Sequence, residues 1–265
     1  MRTTEDLAKI VNTSGFPLQI AVERAVRQTT RKWHVLHREH AWLHENGESG
    51  FADLVLVDDR SCVIVVECKR VQESDWIFIT AEEPDKTVAN RIFINNNKGN
   101  GQEIHGYFDL RTAPSAFVSD FCVVAGQDSK SRPLLERIAH EVVTSTEAVA
   151  REEYPHTVSR NYGFRCYTGI IVTTARLSIS TINNNEVTLG NDEATNQQIT
   201  EVPWVKFRKQ LSHDFAVTPE GIEWSFDGIS KAKEKVVFVV KSNHLVAFLD
   251  KWSLFSEDLR PLMRA

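Results

Sequence analysis

Two apolar runs separated by four polar residues constrain this chain most. Phe51-Ala-Asp-Leu-Val-Leu-Val57 and Cys62-Val-Ile-Val-Val66 are rich in β-branched residues. Between them, Asp58-Asp59-Arg60-Ser61 carries turn chemistry. The second run is apolar at successive positions, as in a strand covered on both faces. The spacing predicts a hairpin over residues 51–71 in the centre of a sheet. A turn there pairs residues whose numbers sum to about 119–120, which sets Asp53 opposite residues 66–67.

Elements on either side extend this core. Pro17 suits a first helical turn, and Leu18, Val22, Ala25 and Val26 recur at helical spacing, so a helix is expected over about 17–29. Residues 33–45 read as a strand. Trp76-Ile-Phe-Ile79 and Arg91-Ile-Phe-Ile94 are short apolar pieces in the polar stretch 72–118. They are expected to form a hairpin within an insertion. Phe121-Cys-Val-Val124 reads as a short buried strand. Leu134, Leu135, Ile138, Ala139, Val142, Val143 and Val149 define one face of a long helix. Strands are expected in 166–179, at 204–207 and at 236–240. Asn243 is placed to cap a last helix bearing Leu245, Phe248, Leu249 and Trp252. Helices alternate with strands and no linker divides the 265 residues, so one α/β domain is expected over 1–265.

Composition narrows the function classes. The chain is 42% hydrophobic and 25% charged, enough apolar material for a real core. Its 31 basic and 36 acidic residues leave −5, which argues against a protein that coats polyanions broadly. Cys62, Cys68, Cys122 and Cys166 show no CxxC spacing, so neither a zinc ribbon nor a thioredoxin motif is expected. The opening MRTTEDLAKI lacks the apolar core of a signal peptide, and no run is long and apolar enough for a membrane span. A reduced, cytoplasmic protein is the expectation, with no membrane partner.

The chemistry lies in the hairpin. Asp53 sits within one apolar strand; Glu67 and Lys69 end the next, two residues apart and hence on one face. Charges in central strands rarely lack a partner or a role. Two carboxylates together raise each other's pKa unless a cation lies between them. Hard oxygen donors favour Mg²⁺, with Mn²⁺ as a substitute, over Zn²⁺. A lysine beside them can orient water or neutralise a phosphorane. This combination suits metal-assisted phosphodiester hydrolysis.

Asp53, then Glu67-Cys68-Lys69 after a short hairpin, resembles the PD-(D/E)XK nuclease superfamily, with Ala52 in place of the name-giving proline. The resemblance covers mainly residues 14–71. It implies a restriction-endonuclease-like mixed central sheet flanked by helices, with insertions. It implies that Asp53 and Glu67 bind metal, that the Cys68 carbonyl is a further ligand, and that Lys69 activates water. Glu23, on the preceding helix, matches an additional glutamate of many members. An i,i+4 pairing of Glu23 with Arg27 is its alternative reading. The implied activity is a Mg²⁺-dependent DNA endonuclease in restriction or anti-phage defence, leaving a 5′-phosphate. RNA stays open as a substrate, and so does a homodimer or a defence or repair partner such as an ATPase. The alternatives are a non-catalytic nucleic-acid or protein binding module and a structure-selective repair nuclease.

Basic residues are unevenly spread. Arg24, Arg27, Arg31, Lys32 and Arg38 place +5 in a stretch with no acid, and Arg70 follows the lysine of the motif. These residues are expected to contact phosphates along a cleft. His37, His40 and His44 lack the glutamate of H-E-x-x-H and read as polar strand residues. Trp33 and Trp42 read as core.

Overall fold

The computed structural model describes residues 2–59, 62–71, 74–80, 89–97, 103–126, 133–159, 164–182, 198–211 and 233–263. Helix α1 (Thr4–Thr13) is closed by a capping box between Thr3 and Asp6, and α2 (Phe16–Val26) starts with Pro17 in its first turn. Leu18, Val22 and Val26 form the buried stripe of α2, at the predicted spacing. A three-stranded antiparallel meander follows: β1 (His34–Leu43), β2 (Ser49–Val57) and β3 (Cys62–Lys69).

The next strands are β4 (Asp75–Thr80), β5 (Asn90–Asn97), β6 (Glu103–Leu110), β7 (Thr112–Ala113), β8 (Val118–Ser119) and β9 (Phe121–Val124). Helix α3 (Leu134–Ser159) leads into β10 (Phe164–Thr173), and β11 (Arg176–Thr181), β12 (Gln198–Glu201), β13 (Trp204–Gln210) and β14 (Glu234–Lys241) follow. Helix α4 (Leu245–Lys251), β15 (Ser253–Leu254) and α5 (Ser256–Met263) end the described chain.

The central sheet is mixed. Its order is β1-β2-β3-β10-β14-β13-β8, with β5 and β6 joined to the start of β10. β3 and β10 run parallel from Cys62↔Cys166 to Lys69↔Thr173, so the chain must cross over between them, and α3 is part of that crossover. Leu54, Leu56, Ile64, Val66 and Val172 pack with α2, α4 and Trp252 on one face. Val55, Val63 and Val65 pack with Ala148 and Val149 of α3 on the other. A Cβ on Gly169 would lie 2.2 Å from Val142 Cγ1, so only glycine lets α3 approach β10 this closely. Tyr107 and His44 both reach the fully buried Glu147 of α3, at 2.6 and 3.3 Å, and tie the helix to β6 and the chain after β1.

The architecture is thus α/β, a central mixed sheet flanked by helices. Several expectations are corrected. β4 and β5 do not pair: β4 joins a second sheet, β12-β11-β4-β9, while β5 extends the first. Each apolar piece found a better cover, Trp76 and Phe78 against α3 and Ile92 and Ile94 in the α2 face. β9 is an edge rather than a buried strand, with Phe121 62% and Val123 52% exposed. A 3₁₀ turn at Ser242–His244 precedes α4, so Asn243 lies inside that turn and His244 takes the N-cap position with no side-chain cap hydrogen bond. Helices α1 and α5 lie outside the elements read from the sequence.

Candidate active site

The β2–β3 ladder runs from Val57↔Val63 to Leu54↔Val66 and stops there. Asp53 comes next, opposite Glu67. Its side chain turns into the gap, and Oδ2 accepts the Cys68 backbone N–H at 2.6 Å. A carboxylate thereby does what a strand carbonyl would otherwise do.

The neighbouring strand is irregular at the same level. Arg38 pairs with Leu54 and His40 with Ala52, which leaves Glu39 across from Asp53. Glu39 has φ +45°, the left-handed region that a side chain with a Cβ enters at about 1–2 kcal/mol. Gln19 of α2 spans the two: its Nε2 donates to Glu39 Oε1 at 2.6 Å and to the Asp53 carbonyl at 2.8 Å. Backbone strain held by such a bond is of the kind found at functional sites.

Charge crowds here. Burial raises the Asp53 carboxyl above its ordinary value, opposed by the Cys68 N–H and aided by the Glu39 charge. Burial, then the charges of Asp53 and Glu141, push Glu67 up to about 8, while Lys69 favours its ionised form. Glu67 shares a face with Val63 and Val65, the face that α3 covers, and Glu141 arrives from α3. A cleft of about 380 Å³ opens between β2 and α3, lined by Trp42, Asp53, Glu67, His140, Glu141 and Ser145 among others. Trp42 is buried, as expected, over Gly50, where a Cβ would meet its ring at 2.9 Å. Trp33 is core as well, its indole N–H bonded to the Leu249 carbonyl at 3.1 Å.

The structure brings together Asp53, Glu67, Lys69 and the Cys68 backbone. The Cys68 thiol is buried and held well above its ordinary pKa, first by burial and then by Asp53, so it offers no thiolate. Glu23 is engaged elsewhere. Arg38 donates to its Oε1 at 2.5 Å and its Oε2 at 2.8 Å, and Arg27 donates to Oε1 at 2.6 Å. Arg38 accordingly holds the Glu23 carboxyl below its usual range. The α2 residue that touches the acids is Gln19, one turn earlier.

The basic stretch is partly neutralised. Arg27 and Arg38 pair with Glu23, and Lys32 lies 3.4 Å from Asp59. Arg24, Arg31 and Arg70 stand outside those pairs. The +5 of residues 24–38 therefore overstates the free cation, because Glu23, next to the stretch, and Asp59, distant in sequence, both pair with it. His44, taken for a polar strand residue, is buried.

The donor set fits a hard divalent cation. Mg²⁺ is commonly held by one or two carboxylates with water completing its shell, and Asp53 and Glu67 supply two partly buried carboxylates whose mutual repulsion a cation would relieve. Among the described residues no group of three or more His, Cys, Asp or Glu side chains is placed to hold a metal ion.

Sequence reading missed Gln19, Glu39 and Glu141. The i,i+4 relation of Gln19 to Glu23 was a usable signal. Glu39 carried none, since its placement depends on a left-handed residue within a strand. Neither a family model, nor a curated protein, nor a solved structure matches the chain. Among the described residues no helix is long and apolar enough to cross a membrane.

Proposed function

We propose that this chain is a Mg²⁺-dependent nuclease with DNA as its substrate, of the PD-(D/E)XK kind that the hairpin motif resembles. One observation carries the reading: Asp53 and Glu67 meet where β2 leaves β3, with Lys69 two residues on and a cleft open in front of them. A bare pair of buried carboxylates is unfavourable, and the pair makes sense as the seat of a cation.

Asp53 and Glu67 would hold the ion, with Mn²⁺ as a substitute and the Cys68 carbonyl as a further oxygen donor. Bound there, the ion supplies Lewis-acid polarisation of a phosphodiester. The Cys68 N–H fixes one oxygen of Asp53, which leaves Oδ1 for the ligand. Gln19 sets the Asp53 backbone and the Glu39 carboxylate at once. Lys69 orients the attacking water and offsets charge on the phosphoryl oxygens. Arg24, Arg31 and Arg70, which stand outside the ion pairs of Glu23 and Asp59, would meet the flanking phosphates. The restriction or defence setting rests on the resemblance alone.

Incubation of the full chain with plasmid DNA, with oligonucleotides and with RNA, in Mg²⁺ or Mn²⁺, tests the reading. Metal-dependent cleavage lost in Lys69→Ala supports it. Equal cleavage by both proteins, or none by either across substrates and metals, overturns it.

A further inference from the structure

A second cavity of about 340 Å³ lies further along the same helix, between β1, α3 and the start of β10. Its walls include His37, His40, Glu152, Glu153, His156 and Arg165. The His37 and His40 rings stack with centroids 4.7 Å apart, 23° from parallel. His40 Nε2 lies 2.8 Å from Glu152 Oε2. Glu153 Oε2 accepts the Tyr167 hydroxyl at 2.8 Å and faces Arg165 Nε at 3.7 Å. Arg165 Nη1 is enclosed and finds no hydrogen-bond partner among the described residues.

The chemistry of these walls selects a ligand. A free phosphate would face two carboxylates and be repelled. A planar group with donors beside an acceptor suits all the walls at once: a flat ring to lie on the imidazole stack, N–H groups for Glu152 and Glu153, and an oxygen for Arg165. Among the common bases, guanine carries donors at N1 and N2 next to an acceptor at O6.

We propose that this cavity is a guanine-binding subsite. The inference rests on the nuclease reading only in the source of the base, a nucleic-acid strand entering the acidic cleft. The cleft is lined from α3 by residues 140–145 and the cavity by 149–157, about 15 Å apart along the helix. That separation lets one strand occupy both, with the base a few nucleotides from the scissile phosphate. Stacking on His37 and His40 supplies binding, and the carboxylate and guanidinium groups supply the choice of base.

The test is calorimetric titration of the full-length Lys69→Ala chain in chelator with 5′-GMP, AMP, CMP and UMP, so that cleavage plays no part. The expected result is GMP binding about ten-fold tighter than the others, with His37→Ala weakening it about ten-fold. Glu152→Gln, at an exposed side chain, should erase the preference while leaving the melting temperature in place. Short oligonucleotides with and without one guanine then tell a strand from a free nucleotide: tighter binding of the guanine oligonucleotide than of GMP marks a strand. No binding at millimolar GMP, equal binding of all four nucleotides, or unaltered binding by folded Glu152→Gln overturns the subsite. Any of these would leave metal-dependent cleavage untouched, so the two readings fail separately.

Discussion

The carboxylate of Asp53 and the amide of Cys68 meet at 2.6 Å where the β2–β3 ladder ends. One side chain therefore has two duties, completing a strand's hydrogen bonding and presenting an oxygen to the cleft. The duties separate by substitution. Asp53→Asn keeps an acceptor for the Cys68 N–H, whereas Asp53→Ala leaves that amide orphaned at a cost of about 1–3 kcal/mol. Both variants should lose Mg²⁺-dependent cleavage and Mn²⁺ binding by calorimetry, but only the alanine variant should melt well below wild type. Equal melting of the two would show that the bond has no structural weight.

Lys69→Ala should reduce kcat by roughly 10²–10³-fold, the scale of losing one group that stabilises transition-state charge. KM should change little, because Lys69 acts on developing charge rather than on the ground state. Single-turnover rates at saturating DNA provide the measurement; a loss confined to KM would reassign Lys69 to binding.

Glu67 predicts an unusual pH dependence. Its folded pKa, about 8, lies above the ordinary 4.5 of a glutamate. Below that ordinary value both states hold the proton. Between the two values the unfolded chain releases it and the folded chain keeps it, so stability falls as pH rises through this window. In chelator, the melting temperature should drop between pH 5 and 8, and Glu67→Gln should flatten the drop. Mg²⁺ should raise the melting temperature of wild type at pH 8 and leave Glu67→Gln unmoved. Parallel melting curves for the two proteins would rule out this role for burial.

Glu39, at φ +45°, is strained in a strand. Glu39→Ala keeps the strained backbone and loses the bond to Gln19, whereas Glu39→Gly relieves the strain. The glycine variant should be more stable than the alanine variant by about 1 kcal/mol in denaturant melts. Both should cleave more slowly than wild type, since Gln19, which also holds the Asp53 carbonyl, loses one of its two anchors. Equal stability of the two would mean that the left-handed conformation costs nothing here.

Glu23→Gln frees Arg27 and Arg38. Surface pairs of this kind contribute about 1 kcal/mol or less, so melting should barely change. DNA affinity by fluorescence anisotropy should rise and become steeper in salt, because two more cations can release counterions. A fall in affinity would place Glu23 among the groups that organise the DNA surface.

The hairpin was legible because period and composition decide it: consecutive β-branched residues about a polar turn have few other folds, and an acid in such a strand stands out. The register came with it to within a residue, since the pairing sum set Asp53 against residues 66–67 and the ladder ends at Leu54↔Val66, one residue short of Asp53 and Glu67. The helix stripe of Leu18, Val22 and Val26 was legible for the same reason. The partners of Trp76–Ile79 and Arg91–Ile94 were not, because a short apolar strand pairs with whichever neighbour covers it best, and that neighbour is set by the crossover through α3.

By itself the sequence determined where the candidate charges lie, since local alternation alone puts Asp53, Glu67 and Lys69 at one end of one hairpin. Only the tertiary structure decided what surrounds them. It turned Glu39 into a left-handed residue across from Asp53, substituted Gln19 for Glu23 as the helix contact, and set Glu23 and Asp59 against three of the five cations in 24–38. Those outcomes depend on contacts between elements, in which long side chains reach past their sequence neighbours, and no local periodicity encodes them.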